Sequence, residues 1–382
     1  MISEGFAPWG GPAAMRATKL AACGLRRGVQ ISVLTTATEC AHVFDDPELA
    51  SEVRDAEILR VSNGTDYRGR DAISRSLGYY ATRVADRLIA KTKKRWADDC
   101  ISAAHQRWDS QRPDLVYCTP PGQHVVDIAQ RLSTIWDVPF VMDFRDPPWE
   151  IGMDAESFGK VLDCCSLAIL NTPPAAERIR SEYDANCEKV ECWTNGVDPP
   201  QAELRLQPRK AVPLSLLFAG GIYPWVVDAI PHLRSWIAME KIIIDVYAFR
   251  ETKRRRQVAA LRRLGAIVHV PISNVHLTKK MSDASANLVT LPPHYQMSSK
   301  VYPMLASGRP VVVFGDTESS RAILEDLPGV YSFDASSSDA DIERLLANVA
   351  DYDPEAGWPA RYAWLRDKTW PSIFSSIFGR YL

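Results

Sequence analysis

The chain has 382 residues, 46% of them hydrophobic, 24% charged and 9% aromatic, with Lys+Arg 45 against Asp+Glu 47 and a net charge of -2. That length suggests two domains, the apolar fraction excludes a disordered chain, and no run approaches the ~20 apolar residues of a membrane-spanning helix. Near-neutral charge argues against a global nucleic-acid partner. The eight cysteines lack metal or disulfide spacing and read as reduced thiols. Residues Met1 to Gly5 carry neither the basic nor the apolar part of a signal peptide, so a cytoplasmic location is expected.

A strand of about two residues precedes Glu4, and Gly10-Gly11-Pro12 then opens a helix over Ala13–Arg27. A Gly-rich turn from strand to helix exposes backbone N–H groups and suits a phosphate or a sugar hydroxyl. Its spacing is neither a dinucleotide fingerprint nor a P-loop. Further strands are expected at Val29–Thr36, Glu57–Ser62, Leu115–Thr119, Phe140–Phe144, Leu167–Asn171 and Lys189–Trp193. Helical patterns over Ile73–Trp108, Val125–Trp136 and Pro173–Tyr183 lie between them. After the Asn195–Pro200 turn the alternation starts again, with strands at Leu214–Ala219, Ile242–Phe249, Ala266–Val270, Asn287–Leu291, Pro310–Phe314 and Val330–Phe333.

Many of these runs are apolar at consecutive positions, as in strands covered by helices on both faces. The doubled series therefore predicts an α/β protein of two Rossmann-like, doubly wound domains, about 1–197 and 198–360, with a cleft between them. The tail from Trp358 to Leu382 spaces Trp364, Trp370, Phe374, Ile377 and Phe378 as one face of a packing helix.

Candidate site residues cluster at the carboxyl ends of predicted strands. Asp143-Phe144-Arg145-Asp146-Pro147-Pro148-Trp149 brings two carboxylates and a guanidinium out of a buried strand, able to orient a hydroxyl or stabilise developing charge. Gly220 and Gly221 end the first strand of the second half, where backbone can approach a ligand. Ser298, Ser299 and Lys300 open a short helix to Ala306 that Gly308 closes; the two serines suit its cap, and Lys300 favours an anion. Gly315 to Ser319 begins another helix in the same manner.

These segments, in this order, resemble the GT-B glycosyltransferases, and within them the retaining nucleotide-sugar transferases of bacterial polysaccharide assembly. The resemblance rests on the Gly10-Gly11 loop, Asp143–Trp149, Asn195-Gly196-Val197-Asp198, and Ser299-Lys300-Val301-Tyr302 leading into Gly308-Arg309-Pro310-Val311. It implies transfer of a sugar from a nucleoside-diphosphate sugar to a glycan or lipid-linked acceptor, without a metal ion or other cofactor. By matching positions, Arg145, Asp146 and Asp143 would be catalytic. Gly10, Gly11, Gly220, Gly221, Ser299, Lys300, Thr317 and Glu318 would bind donor or substrate. It also implies a final helix, about 361–382, that packs back on the first domain. Three positions depart from the family pattern: Pro303 and Tyr295 replace a ribose-binding glutamate and its partner, and Tyr223-Pro224-Trp225 replaces an arginine and lysine. Arg250, at the carboxyl end of the next strand, could supply charge in their place.

Two basic runs stand out. Lys91, Lys93, Lys94 and Arg95 share a helix with Tyr79, Tyr80, Leu88, Ile89 and Trp96, which suits contact with the inner face of a membrane. Lys253 to Arg256, with Arg262 and Arg263, reads as a solvated helix face. The rival functions are a sugar-nucleotide epimerase of the same architecture and a degenerate binding or scaffolding subunit, the latter motivated by Pro303 and Tyr295.

Overall fold

In a computed structural model, the chain forms two compact α/β units. The structure describes all residues except 38–43, 63–78, 183–187, 205, 207–211, 223, 250–254, 292–296, 316–317 and 325, and it leaves out the side chains of 79–90, 224–225, 249 and 318. Unit 1 comprises Met1–Asn171, Ala175–Trp193 and Phe378–Leu382; unit 2 comprises Thr172–Pro174 and Thr194–Ile377.

Unit 1 holds β1 (Ile2–Ser3), β2 (Ser32–Thr36), β3 (Glu57–Val61), β4 (Val116–Thr119), β5 (Phe140–Phe144), β6 (Leu167–Leu170) and β7 (Val190–Cys192). Every neighbouring pair is parallel, in the order β3-β2-β1-β4-β5-β6-β7. Unit 2 holds β8 (Leu214–Gly221), β9 (Ile242–Phe249), β10 (Ile267–His269), β11 (Ala286–Thr290), β12 (Val311–Phe314) and β13 (Val330–Phe333), parallel in the order β10-β9-β8-β11-β12-β13. The second order is the 3-2-1-4-5-6 arrangement of doubly wound sheets, and the first adds one strand to it. In each sheet the order reverses beside the first strand, between β1 and β4 and between β8 and β11. A crevice for ligands opens at such a point, outside the carboxyl ends of the strands.

The central strands explain why consecutive apolar residues predict them. All five residues of β5, Phe-Val-Met-Asp-Phe, are buried, so both faces need apolar cover. In unit 2 one apolar cluster joins Leu216, Ile244, Val246 and Leu288 to Val258 and Leu261 of the Arg255–Arg263 helix. The other joins Leu217, Ala219 and Val289 to Leu277 and Met281 of the Asn274–Asp283 helix. Helix starts are set locally. Asp154 accepts from Ser157 N–H at 2.7 Å, and Ser338 with Asp341 forms a reciprocal capping box.

The tail differs from the single helix its periodicity suggests. Helices Pro354–Arg366 and Trp370–Phe378 are separated at 367–369. There the backbone bonds Val197 instead of continuing the helix: Val197 N–H donates to the Lys368 carbonyl at 3.0 Å and Trp370 N–H to the Val197 carbonyl at 2.9 Å, and Thr369 Oγ1 accepts the N–H of Ser372 at 3.3 Å to start a new helix. The ring of Phe378 then packs at a tilt against Tyr117, centroids 5.3 Å apart, Tyr381 hydrogen-bonds Ser166 at 3.0 Å, and Arg380 pairs with Glu191 at 2.7 Å.

Candidate functional site

The carboxyl edge of the first sheet has a buried ionic floor. Arg16, on the Pro12–Arg26 helix, and Asp143, in β5, are both essentially inaccessible to solvent, and Arg16 Nε donates to Asp143 Oδ2 at 2.6 Å. Tyr117 of β4 donates its hydroxyl to the same oxygen, and Arg16 Nη2 donates to the carbonyl of Trp193 at 3.0 Å. Burial opposes the charge on Arg16, yet Asp143 and Tyr117 hold its pKa above the ordinary value. Burial, then the Asp143 charge, pushes the Tyr117 phenol well above its usual range, so it remains a neutral donor.

This network changes the standing of the Asp143–Asp146 segment. Asp143 lies in the floor, where its Oδ2 serves Arg16 and Tyr117. Arg145 is half-buried and donates through Nη1 to the carbonyl of Pro12 at 3.2 Å, while its Nε is buried with no partner among the described residues. Asp146 is half-exposed beside it, and Trp149 carries the guanidinium of Arg178 over its ring at 4.1 Å. Three neighbouring charges in the sequence therefore divide between support and presentation.

The Gly10-Gly11 turn divides likewise. Gly10 donates its N–H to the carbonyl of Phe44 at 2.8 Å, and a Cβ there would lie 2.5 Å from the Phe44 ring. Its lack of a side chain is a packing requirement. Gly11 has φ 102, a conformation that favours glycine, and caps a helix whose first residue is Pro12. Across the strand-order reversal, His124 is buried at the start of the Gln123–Trp136 helix with Nε2 3.2 Å from Glu4.

In unit 2, Gly220 and Gly221 end β8 beside Ala248 and Phe249 of β9, and Gly220 has φ 150. Lys300 is the half-buried N-cap of the Val301–Ala306 helix, which begins one residue later than expected. Ser298 Oγ accepts from Lys300 N–H at 3.4 Å; Ser299 is half-buried beside it. Pro303 occupies the first turn of that helix, where an N–H has no helical partner to lose.

The segment after this helix, so distinctive in sequence, is a structural clamp. Gly308 has φ 75, and a Cβ there would meet Leu204 at 2.2 Å. Arg309 Nε donates to the Ser282 carbonyl at 2.9 Å, and the buried Arg361 donates to the carbonyls of Arg309 and Pro328, each at 2.6 Å. All of this lies at the amino end of β12, away from the edge where Lys300 stands. Arg250 and Thr317 fall outside the described residues, as do Tyr223, His294, Tyr295, Lys253 and Arg254; of Glu318 only the backbone is described.

Sequence reasoning missed a second set. Thr36, Thr119, Asn171, Thr290 and Ser319 are all buried, and each has a side-chain oxygen without a hydrogen-bond partner among the described residues. Thr36, Thr119 and Thr290 are the last residues of β2, β4 and β11, Asn171 follows β6, and Ser319 lies on the helix after β12. Buried polar atoms are normally satisfied, so five of them around the carboxyl edges mark surfaces built for a polar ligand or ordered water. A polar residue closing an otherwise apolar strand (Val-Tyr-Cys-Thr, Ala-Asn-Leu-Val-Thr) is the signal that would have found them.

Other expectations concern the whole chain. Among the described residues no three His, Cys, Asp or Glu side chains gather as a metal centre requires, and no helix is long and apolar enough to cross a membrane. Lys91, Lys94 and Arg95 are exposed, but Trp96 is buried and donates to the Val61 carbonyl at 3.1 Å, so it faces the core and not a lipid surface. The side chains of Tyr79, Tyr80, Leu88 and Ile89 lie outside the description.

No family model matches the sequence, and no curated protein does. Solved structures match throughout. Sucrose-phosphate synthase from Thermosynechococcus elongatus aligns with a TM-score of 0.70 at 11% identity, over 97% of this chain and 93% of that one. HepE (Alr3699) of Anabaena, solved with UDP and glucose, aligns at 0.66 and 13% identity, over 99% and 97%. The lipopolysaccharide outer core galactosyltransferase WaaB, in apo form, aligns at 0.62 and 10% identity, over 99% and 98%. At such low identity the shared property is architecture: the chain has the two-sheet, Rossmann-like GT-B fold of these glycosyltransferases.

Proposed function

We propose that the chain is a glycosyltransferase that moves a sugar from a nucleoside-diphosphate sugar to a glycan or lipid-linked acceptor. The observation that carries this reading is the pairing of a GT-B fold with unsatisfied buried polar groups at the carboxyl edge of each sheet. In this reading the donor binds unit 2. Its diphosphate lies against the Gly220-Gly221 backbone and Lys300, with Thr290 and Ser319 offering hydroxyls. The acceptor binds unit 1, where Arg145 and Asp146 orient it above the Arg16–Asp143–Tyr117 floor.

The acceptor hydroxyl oxygen bonds the anomeric carbon as the bond to the diphosphate breaks; the electron pair leaves with the diphosphate, whose oxygen takes up the hydroxyl proton. Lys300 and its neighbouring backbone meet that charge, so no metal ion is invoked; a preorganised cation at a developing negative charge is an effective use of binding energy. Retention of anomeric configuration follows from the family resemblance. Work at a cytoplasmic membrane face would fit a lipid-linked acceptor.

Calorimetric titration with UDP, ADP, GDP and CDP is the direct test. Binding of at least one is expected, and the absence of all four would sink the reading. With the matching sugar nucleotide, free diphosphate should accumulate only when a glycan acceptor is added. Pro303, in place of a carboxylate, favours a second reading as a binding subunit, for which a nucleotide would bind without any turnover.

A further inference from the structure

The outer edge of the second sheet combines two properties found together nowhere else among the described residues. Among the described residues eight large apolar side chains are exposed, and four of them belong to this edge: Ile243 (37%) on β9, Ile267 (48%) on the edge strand β10, Val270 (66%) just after it, and Val275 (60%) in the first turn of the next helix. In the β9–β10 register Ile267 pairs with Asp245, which places Ile243 and Ile267 on the same face of the sheet.

Cations bracket this strip. The Arg255–Arg263 helix turns Val258 and Leu261 inward and exposes Arg255, Arg256, Arg262 and Arg263, with no acidic residue in its length. On the other face of the sheet, the Asn274–Asp283 helix exposes Lys279 and Lys280. Four carboxylates are described near this edge: Asp245 is held by His269 at 2.6 Å, Asp283 closes the far end of its helix, Glu240 lies in the turn before β9, and Asp228 is exposed on the Pro224–Ala229 helix packed against Arg255–Arg263.

We propose that this edge of unit 2, centred on β10, docks on an anionic lipid bilayer. β-Branched side chains would enter the headgroup region while the arginines and lysines on both flanks meet lipid phosphates. The arrangement has the two ingredients of reversible interfacial binding, an apolar strip and complementary charge. It is also independent of any catalytic assignment. Exposed apolar groups rimmed by charge of one sign signal a binding surface, and the charge names the partner. Beside the Lys91–Arg95 segment, Trp96 is spent in the core.

The test is co-sedimentation of the full chain with vesicles of phosphatidylcholine containing 30 mol% phosphatidylglycerol, against pure phosphatidylcholine. Binding to the anionic vesicles only is expected, weakening steeply between about 0.15 and 1 M salt as screening shortens. Replacing Arg256, Arg262 and Arg263 with alanine should lower the partition coefficient about 100-fold, at roughly fivefold per cation. V270S/V275S should lower it several-fold with the melting temperature unchanged, since both side chains are already in water. The control K91E/K94E/R95E should bind within about twofold of the parent. Equal binding to neutral vesicles overturns the proposal, as does loss of binding in the Lys91 control but not in the arginine variant. Two further outcomes do the same: tighter binding to a DNA duplex than to vesicles at equal phosphate, or self-association without lipid that V270S/V275S abolishes.

Discussion

The carboxyl edges of the two sheets solve the same problem with different materials. In unit 1 the edge rests on charge: a carboxylate and a guanidinium, both sealed from solvent, share one oxygen with a phenol. In unit 2 the edge rests on backbone and hydroxyl groups, Gly220-Gly221, Thr290 and Ser319, with Lys300 half-exposed. The buried guanidinium groups of that unit, Arg309 and Arg361, work at the opposite end of the sheet as carbonyl clamps. The lesson is that charge near a site is not one kind of evidence. A charge whose partners are protein atoms supports the scaffold, and its loss should register as instability. A half-exposed charge also presents part of itself to solvent, and in the proposed reading its loss should register as binding or rate.

Substitutions can break this contrast. The largest effect is expected for Asp143→Ala, which leaves the Arg16 guanidinium buried and unpaired. Urea unfolding should report a loss of about 3–5 kcal/mol in unit 1. A loss under 1 kcal/mol would mean that the floor is not structural. Next comes Lys300→Ala, for which donor binding or turnover should fall about 10²-fold while the unfolding curve is unchanged. A shifted curve with intact binding would reverse the distinction drawn for unit 2. Asp146→Asn belongs to the same class, with turnover reduced and nucleotide affinity nearly intact by calorimetry.

Gly308→Ala should cost about 1–3 kcal/mol, through a strained φ and contact with Leu204, and should spare nucleotide affinity if the clamp is remote from the binding edge. The smallest effect is in acid. Hydrogen bonds from Ser157 and Ser338 hold the pKa values of Asp154 and Asp341 below the ordinary aspartate value. A depressed carboxylate stabilises above its unfolded pKa of about 3.9, and that contribution fades as pH falls through the folded value. The urea midpoint should therefore drop between pH 5 and 3, and less so in D154N/D341N, whose caps cannot titrate.

Much of the fold was legible because it follows from short-range patterns. Phe140–Phe144, Ile242–Phe249 and Val330–Phe333 have the bounds their apolar runs suggest, and the other strands differ by a few residues at their ends. The tail was misread because helical spacing continues smoothly across Thr369-Trp370-Pro371, while the backbone there turns to bond Val197, a partner far away in sequence. The site was legible as a location and not as a division of labour. Nothing local distinguishes Asp143 from Asp146; the difference is a partner 127 positions away, Arg16, which only the folded chain supplies. Gly10 is similar: its need to be glycine comes from the ring of Phe44 and was open to reading as room for a ligand.

The chain's route has a consequence for how it is made. Unit 1 is laid down first, yet it includes Phe378, which packs against Tyr117, and Tyr381 and Arg380, which tie β6 and β7. On the ribosome unit 1 therefore waits for Phe378–Leu382 to emerge, roughly 10–40 s after its own strands at about 5–20 residues per second. During that interval the ring of Tyr117 lacks the cover of Phe378, although all seven strands of the first sheet have been made. A tag or deletion after Ile377 would thus act at a distance, on the oldest part of the polypeptide.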